Sequence, residues 1–86
     1  MMKSLLIIQG HNSPELLERL LRVVRHRGFS VQNLHAETTE NEQELHLTLT
    51  VCSDREISLL TKQLEKIFGI TKVATLNQDS MIKASA

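Results

Sequence analysis

The chain has 86 residues, and its 10 Lys and Arg balance its 10 Asp and Glu. This length allows one domain with a small core. The zero net charge argues against an electrostatic nucleic-acid binder, and two phenylalanines as the sole aromatics leave no stacking platform for single strands. Cys52 is the only cysteine, so an intrachain disulfide and a cysteine-ligated metal cluster are excluded.

No apolar stretch of the sequence is long enough to cross a membrane. The longest apolar run, residues 5–8, is far shorter than the ~20 residues that a spanning helix needs. Polar residues follow this run at once, so the start of the chain does not match a secretion signal. One unpaired cysteine and no signal predict a reducing, cytoplasmic location.

The first part of the chain predicts a strand and a helix. The apolar run predicts a buried strand over about residues 3–9. Ser13 stands where a helix N-cap accepts backbone N–H groups, and Pro14 fits the first helical position. Apolar residues then recur at helical spacing up to Gly28, a natural left-handed stop.

The middle of the chain predicts a hairpin whose first strand is irregular. Apolar residues change phase near Gln32 and Asn33, and this predicts a bulge or bend because strand side chains alternate with period two. Residues 39–43 are polar and predict the turn. Between Leu45 and Val51 apolar and polar residues alternate, which is typical of a strand with one packed face.

The last part predicts a second helix and a fourth strand. Ser53 and Glu56 have the spacing of a capping box. Gly69 ends the helix, and residues 70–76 predict the strand. The apolar stripe of the helix consists of Ile57, Leu60, Leu64, Ile67 and Phe68.

The order strand, helix, strand, strand, helix, strand is the split βαβ arrangement. It predicts an α+β, ferredoxin-like βαββαβ fold, with a four-stranded antiparallel sheet and both helices on one face. The expected strand order is fourth, first, third, second, so the second and fourth strands are edges. The other sheet face is partly apolar, because the first strand has no polar side. We expect a single domain over residues 1–76 and a flexible tail over 77–86.

The sequence shows no catalytic residues and no metal ligands. Three separated glycines form no phosphate-binding loop. His35 and His46 could face each other across the second and third strands, but we interpret them as polar residues on the wetter face and not as metal ligands. Cys52 is interpreted as a buried, inert thiol.

A basic stripe on the first helix is the main cluster of charge. Glu15 and Glu18 precede Arg19 and Arg22 by four residues each, so a solvated face with two ion pairs is one interpretation. A docking surface for an acidic patch on another protein is the other. The stripe consists of Arg19, Arg22, Arg25, His26 and Arg27.

The corner Gly10-His11-Asn12-Ser13-Pro14, between the first strand and the first helix, is a second candidate site. Free N–H groups at a helix start are suited to a carboxylate. An ordinary helix cap is the alternative interpretation.

Residues 18–29, ERLLRVVRHRGF, resemble the first helix and second strand of acetolactate synthase small subunits. The first strand, the Asn-x-Pro corner and the Leu-rich helix resemble the ACT regulatory domain more widely. The resemblance runs from Leu5 to about Leu76. It is greatest to the short isozyme II type, which consists of one ACT domain.

This resemblance implies a regulatory subunit without catalytic residues or cofactors of its own. In the family, the large catalytic subunit holds thiamine diphosphate, FAD and magnesium and performs the first shared step of valine, leucine and isoleucine synthesis. The small subunit raises the activity of the large subunit and, in many members, confers valine feedback. ACT domains of this group pair side by side into a homodimer, with effectors bound at the interface near the first strand-to-helix turn.

The resemblance also implies where an effector would bind. Valine-responsive members usually have glycine at the position of Glu15 and asparagine at that of Ser30. A carboxylate at a helix start repels the carboxylate of a ligand, so we expect an activating subunit with weak or no valine feedback. The implied effector-binding residues are His11, Asn12, Ser13, Glu15, Ser30 and Val31, and the partner-binding residues are Arg19, Arg22, Arg25 and His26.

Two other functions stay open. One is a free-standing ACT module that binds an amino-acid effector for another enzyme. The other is a small ferredoxin-like enzyme or metal carrier, which would need a base or a metal pair that the sequence does not show.

Overall fold

The computed structural model describes residues 2–77. The elements are β1 (Met2–His11), α1 (Pro14–His26), β2 (Ser30–Thr38), β3 (Glu44–Ser53), α2 (Ile57–Glu65) and β4 (Ile70–Asn77). All six predicted elements are present in the predicted order, and β1 is longer than predicted at both ends. Residues 78–86, which make up most of the predicted tail, lie outside the described residues.

The four strands form one antiparallel sheet in the order β2-β3-β1-β4. This confirms the predicted order, with β1 and β3 in the centre and β2 and β4 at the edges. Since β1 and β2 both run antiparallel to β3, they point the same way. The turn between β2 and β3 therefore lies at the end of the sheet where β1 leads into α1.

The predicted irregularity of β2 is present. The pairing of β2 with β3 shifts between Val31 and Asn33, so that Gln32 is the extra residue. After the shift, Leu34 lies opposite Leu49, a residue of the core. The bulge therefore keeps Val31, before it, and Leu34, after it, on the face of the sheet that packs against the helices.

The core lies between the two helices and one face of the sheet. β1 and β3 supply alternate side chains to it, as their central positions require. Each fully buried aliphatic side chain stabilises the fold by about 1.5–3 kcal/mol relative to an exposed one. The core residues are Leu6, Ile8, Leu16, Leu20, Val24, Phe29, Leu45, Leu47, Leu49, Val51, Leu60, Leu64 and Ile67.

The face of the sheet away from the helices, termed the open face, is partly apolar as predicted. Leu5 and Ile7 alternate with the core residues of β1 and are only partly buried. Ala74 lies opposite Ile7 and Leu76 lies opposite Leu5 on the neighbouring edge strand. Small apolar surfaces of this kind are normal on a folded domain.

Helix α1 begins where the sequence predicts, but not with the predicted cap bond. Ser13 occupies the N-cap position in extended conformation, and Pro14 follows in the first turn. The Ser13 side chain makes no capping hydrogen bond; its backbone carbonyl instead accepts a bond from the N–H of Leu16 at 3.2 Å. At the other end, Gly28 takes a φ of +84°, which is accessible to glycine and confirms the predicted stop.

The predicted capping box of α2 is wrong. The N-cap is Glu56, and it makes no side-chain cap bond. Ser53 is the last residue of β3, and its buried hydroxyl donates to the carbonyl of Gly28 at 2.9 Å and accepts from the N–H of Arg55 at 3.0 Å. The serine thus joins the end of β3 to the α1–β2 turn, a long-range contact that takes the place of the local cap.

Helix α2 is shorter than predicted, and its apolar stripe ends one residue early. The helix ends at Glu65, and a tight turn leads to β4, with Ile70 N–H bonded to Ile67 O at 3.1 Å. Ile67 remains in the core, but Phe68 is 89% exposed. The correction follows from the turn, because Phe68 no longer lies on the helical face that packs on the sheet.

Among residues 2–77, no helix is long and apolar enough to cross a membrane.

Candidate functional site

The corner between β1 and α1 is tied to two neighbouring turns. The N–H of His11 donates to Gly69 O at 2.8 Å, and the N–H of Asn12 donates to Gln43 O at 3.0 Å. The Asn12 side-chain amide also donates, to Glu42 O at 2.9 Å. Two amides that could have held a carboxylate are therefore already bonded to backbone carbonyls.

Glu15 lies in the first turn of α1 and is exposed. Its carboxylate sits in the positive field of the helix start. An anionic ligand that approached this corner would meet a negative charge in the same field.

The remaining two effector candidates lie at the opposite end of the sheet. Ser30 pairs with Cys52, and Cys52 also pairs with Lys3, whereas His11 pairs with Glu44 at the other end of β3. The 9 residues of β2 rise roughly 3.3 Å each, so its ends lie roughly 25 Å apart. One chain alone does not bring the six candidates together.

Ser30 contributes to the pairing of β2 with β3. Its hydroxyl donates to the carbonyl of Cys52 at 3.1 Å across the β2–β3 pair. Cys52 itself is buried, as the sequence predicts. Val31 is exposed on the edge strand.

The exposed arginines of the basic stripe on α1 have no acidic partner in direct contact within residues 2–77. Arg19, Arg22 and Arg25 are exposed, and no ion pair within 4 Å joins them to a residue within 2–77. The expected pairs with Glu15 and Glu18 are thus not formed, since exposed pairs gain little from holding two long side chains in place. The stripe is therefore an electropositive surface.

Two grooves lie on either side of this stripe. The first runs along α1 away from α2 and is lined by Glu18, Leu21, Arg22, Arg25 and His26. The second, termed the interhelical groove, includes a residue of α2; it is lined by Arg19, Arg22, Val23, His26, Arg27 and Gln63. Arg22 and His26 form the ridge that the two grooves share.

Gln63 is a residue that the sequence reasoning missed. Its side-chain carbonyl accepts a hydrogen bond from the Arg27 guanidinium at 3.2 Å. The two residues are 36 positions apart, so no local pattern points to the contact.

The two histidines of the hairpin lie diagonally across β2 and β3 and not directly opposite each other. His46 pairs with Glu37, and His35 pairs with Thr48. The His35 Nε2 donates to Glu37 Oε1 at 2.8 Å. This hydrogen bond, together with the charges of His35 and His46, holds the pKa of the Glu37 carboxyl below its ordinary value.

Within residues 2–77, no group of three or more His, Cys, Asp or Glu side chains is placed to hold a metal ion. His35, Glu37 and His46 form a polar cluster on the open face.

Comparison with protein families and with known sequences identifies the family to which this chain belongs. The ACT domain model matches residues 12–73. The isozyme 2 small subunit of acetolactate synthase from Escherichia coli (strain K12) is 40% identical over 74 residues, which span 86% of this chain and 85% of that protein. A probable acetolactate synthase small subunit from Archaeoglobus fulgidus is 30% identical over 93% of this chain and 51% of its own length.

Solved structures show the same fold. The acetolactate synthase small subunit of Thermotoga maritima superposes with a TM-score of 0.78 at 22% identity, over 91% of this chain and 49% of that chain. The ACT domain of a GTP pyrophosphokinase from Chlorobium tepidum gives 0.75 at 13% identity, over 87% and 97%. The chain therefore belongs to the ACT-domain small subunits of acetolactate synthase, regulatory subunits that are not catalytic alone.

Proposed function

We propose that this chain binds the large catalytic subunit of acetolactate synthase in the cytoplasm and raises its activity in branched-chain amino acid biosynthesis. The observation that carries the proposal is the 40% identity with the isozyme 2 small subunit. That match spans 86% of this chain and 85% of that subunit, so the likeness extends over most of both.

The proposed mechanism is stabilisation of one conformation of the partner. Thiamine diphosphate, FAD and magnesium belong to the catalytic subunit and do the chemistry there. The small subunit binds the cofactor-competent conformation more tightly than the others, because a partner that binds all conformations equally shifts no population. Its effect on the reaction rate therefore depends on the difference between its binding free energies for these conformations of the catalytic subunit.

We further propose that valine feedback is weak or absent. Glu15 places a carboxylate where a ligand carboxylate would lie. The N–H groups of His11 and Asn12 donate to carbonyls of Gly69 and Gln43, so an incoming carboxylate would have to displace those bonds. Both features oppose an amino-acid ligand at this corner.

The proposal includes a homodimer that forms side by side through the β2 edges. The outer side of β2 has no neighbouring strand in the sheet, and eight of its 9 residues are exposed. Antiparallel pairing about a two-fold axis would bring the corner of one copy towards Ser30 and Val31 of the other. Such a pairing unites the effector candidates that one chain holds apart.

A pull-down from native lysate tests the proposed function. The chain with an affinity tag is expected to recover a thiamine diphosphate-dependent flavoprotein that forms acetolactate from pyruvate. An unrelated ACT domain with the same tag is the control. If the chain recovers no such enzyme but its melting temperature rises with a free amino acid, the chain is a free-standing effector module and the proposal is wrong.

A further inference from the structure

The interhelical groove has one wall on each helix. Arg19, Val23 and Arg27 line it on the α1 side, together with the ridge residues Arg22 and His26, and Gln63 lines it on the α2 side. The hydrogen bond from Arg27 to Gln63 joins the two walls. The groove thus follows the line where the two helices meet.

The charge of the groove has one sign. Residues 19–36 include four arginines and no Asp or Glu. Three of these arginines, Arg19, Arg22 and Arg27, line the groove, and none makes an ion pair with a residue in the part of the chain that the structure describes. An acidic group that entered would gain charge-assisted hydrogen bonds without breaking an ion pair.

The groove also offers apolar surface. Val23 is partly buried beneath the arginines and packs against the core. Leu59 precedes Gln63 by four residues, so it lies on the same face of α2, and it is 49% exposed. An occupant with apolar side chains between its acidic ones would match both properties.

The groove remains accessible in the proposed homodimer. α1 packs towards β2 and α2 packs towards β4, so the interhelical groove lies over the middle of the sheet. The other groove, with Leu21 and Arg25, lies on the side of α1 that faces the β2 edge. The interhelical groove is therefore the part of the basic surface that a second copy leaves free.

We propose that the interhelical groove is the docking site for an acidic, partly apolar segment of the catalytic subunit. The inference rests on the proposed function and specifies the surface and the chemistry that carry it. Electrostatic complementarity of this kind sets the orientation and the association rate of a partner.

The test compares two pairs of charge reversals by titration calorimetry against the purified catalytic subunit from the same organism. Arg19→Glu with Arg27→Glu reverses the charge of two arginines that line the interhelical groove and not the other groove. Lys3→Glu with Lys72→Glu is the matched control: it makes the same change in net charge with exposed lysines of β1 and β4, on the open face. We expect the groove variant to bind at least roughly tenfold more weakly and the control to change by less than about twofold.

Salt and a milder variant complete the design. The affinity of the unsubstituted chain is expected to fall as sodium chloride rises, and that of the groove variant to fall less. Arg19→Gln with Arg27→Gln, which adds no negative charge, is expected to show an intermediate loss. Circular dichroism confirms that each variant folds.

The outcomes separate the inference from the function on which it rests. If the unsubstituted chain binds and the groove variants bind equally well, or if the control variant loses affinity instead, docking at the groove is excluded while the proposed function stands. If the unsubstituted chain does not bind the catalytic subunit at all, both are overturned.

Discussion

At the scale of single residues, Gly10 shows how closely the corner is packed. A Cβ added there would lie 2.7 Å from the carbonyl oxygen of Gly69 and 2.9 Å from Leu16 Cδ2. That carbonyl cannot move freely, because it accepts the hydrogen bond from His11 N–H.

We expect Gly10→Ala to lower the free energy of unfolding by about 1–3 kcal/mol, the usual cost of overpacking. Urea denaturation measures the change. Lys72→Ala, an exposed position of β4, is the control and should change stability by less than about 0.5 kcal/mol. Equal stability of Gly10→Ala and the unsubstituted chain would show that the corner is looser than the structure indicates.

Glu15 is the residue that bears most directly on valine. We expect the isolated chain to bind valine weakly or not at all in calorimetry, and Glu15→Gly to bind it roughly tenfold more tightly, since removal of a like charge relieves repulsion. Glu15→Gln removes the charge without adding backbone freedom and should recover part of the gain. Tight valine binding by the unsubstituted chain would contradict the proposal of weak feedback.

At the scale of elements, the edge strand β2 is where the proposed homodimer forms. Val31→Glu puts a charge on this edge in place of an exposed apolar side chain. Thr75→Glu puts the same charge on β4, the other edge of the sheet.

We expect Val31→Glu to shift the chain from dimer to monomer in analytical ultracentrifugation, with a dimer dissociation constant raised roughly tenfold. Thr75→Glu should leave the dimer unchanged. If only the β4 substitution dissociated the dimer, the two copies would contact each other through β4 and not through β2. If the unsubstituted chain were a monomer, the proposed homodimer would be excluded.

The elements of the fold were largely predictable from sequence because local physics dictates them. The bulge of β2 is a clear case: the apolar phase changes near Gln32, and a strand can keep one packed face through such a change only by inserting a residue. The stop at Gly28 likewise follows from its freedom to take positive φ.

The errors have two causes, a distant contact at Ser53 and an early turn at Phe68. Ser53 fits a capping box by spacing, but its hydroxyl bonds to the carbonyl of Gly28, 25 residues away. Phe68 fits the helical stripe, but the turn that begins β4 takes it out of the core. No short window of sequence contains both Ser53 and Gly28, so local spacing could not predict that contact. Helical periodicity describes a helix that continues, so it could not predict the turn between Ile67 and Ile70.

The candidate site was predictable only in part, for the same reason. The basic stripe is visible in the sequence because its members share one helix. The interhelical groove is not visible in the sequence, because Gln63 lies on the other helix and lines the groove only once the two helices pack together. The separation of the corner from Ser30 also becomes visible only when the register of the sheet is known.

At the scale of the whole molecule, the net charge is zero, but the acidic and basic residues lie in different regions of the surface. Acidic residues concentrate around the β2–β3 turn, with Glu40, Glu42 and Glu44, while arginines cover α1. The turn lies at the sheet end where α1 begins, whereas the arginines lie further along α1, from Arg19 to Arg27. A small subunit with this distribution can be oriented by a larger partner before contacts form.

The claim that the chain activates a catalytic subunit is tested most directly by turnover. The purified catalytic subunit of acetolactate synthase, loaded with its cofactors, is assayed for acetolactate formation while this chain is added in increasing amounts. The account predicts a saturable rise in turnover that follows formation of the complex. Turnover that stays constant at concentrations where a complex should saturate would contradict it.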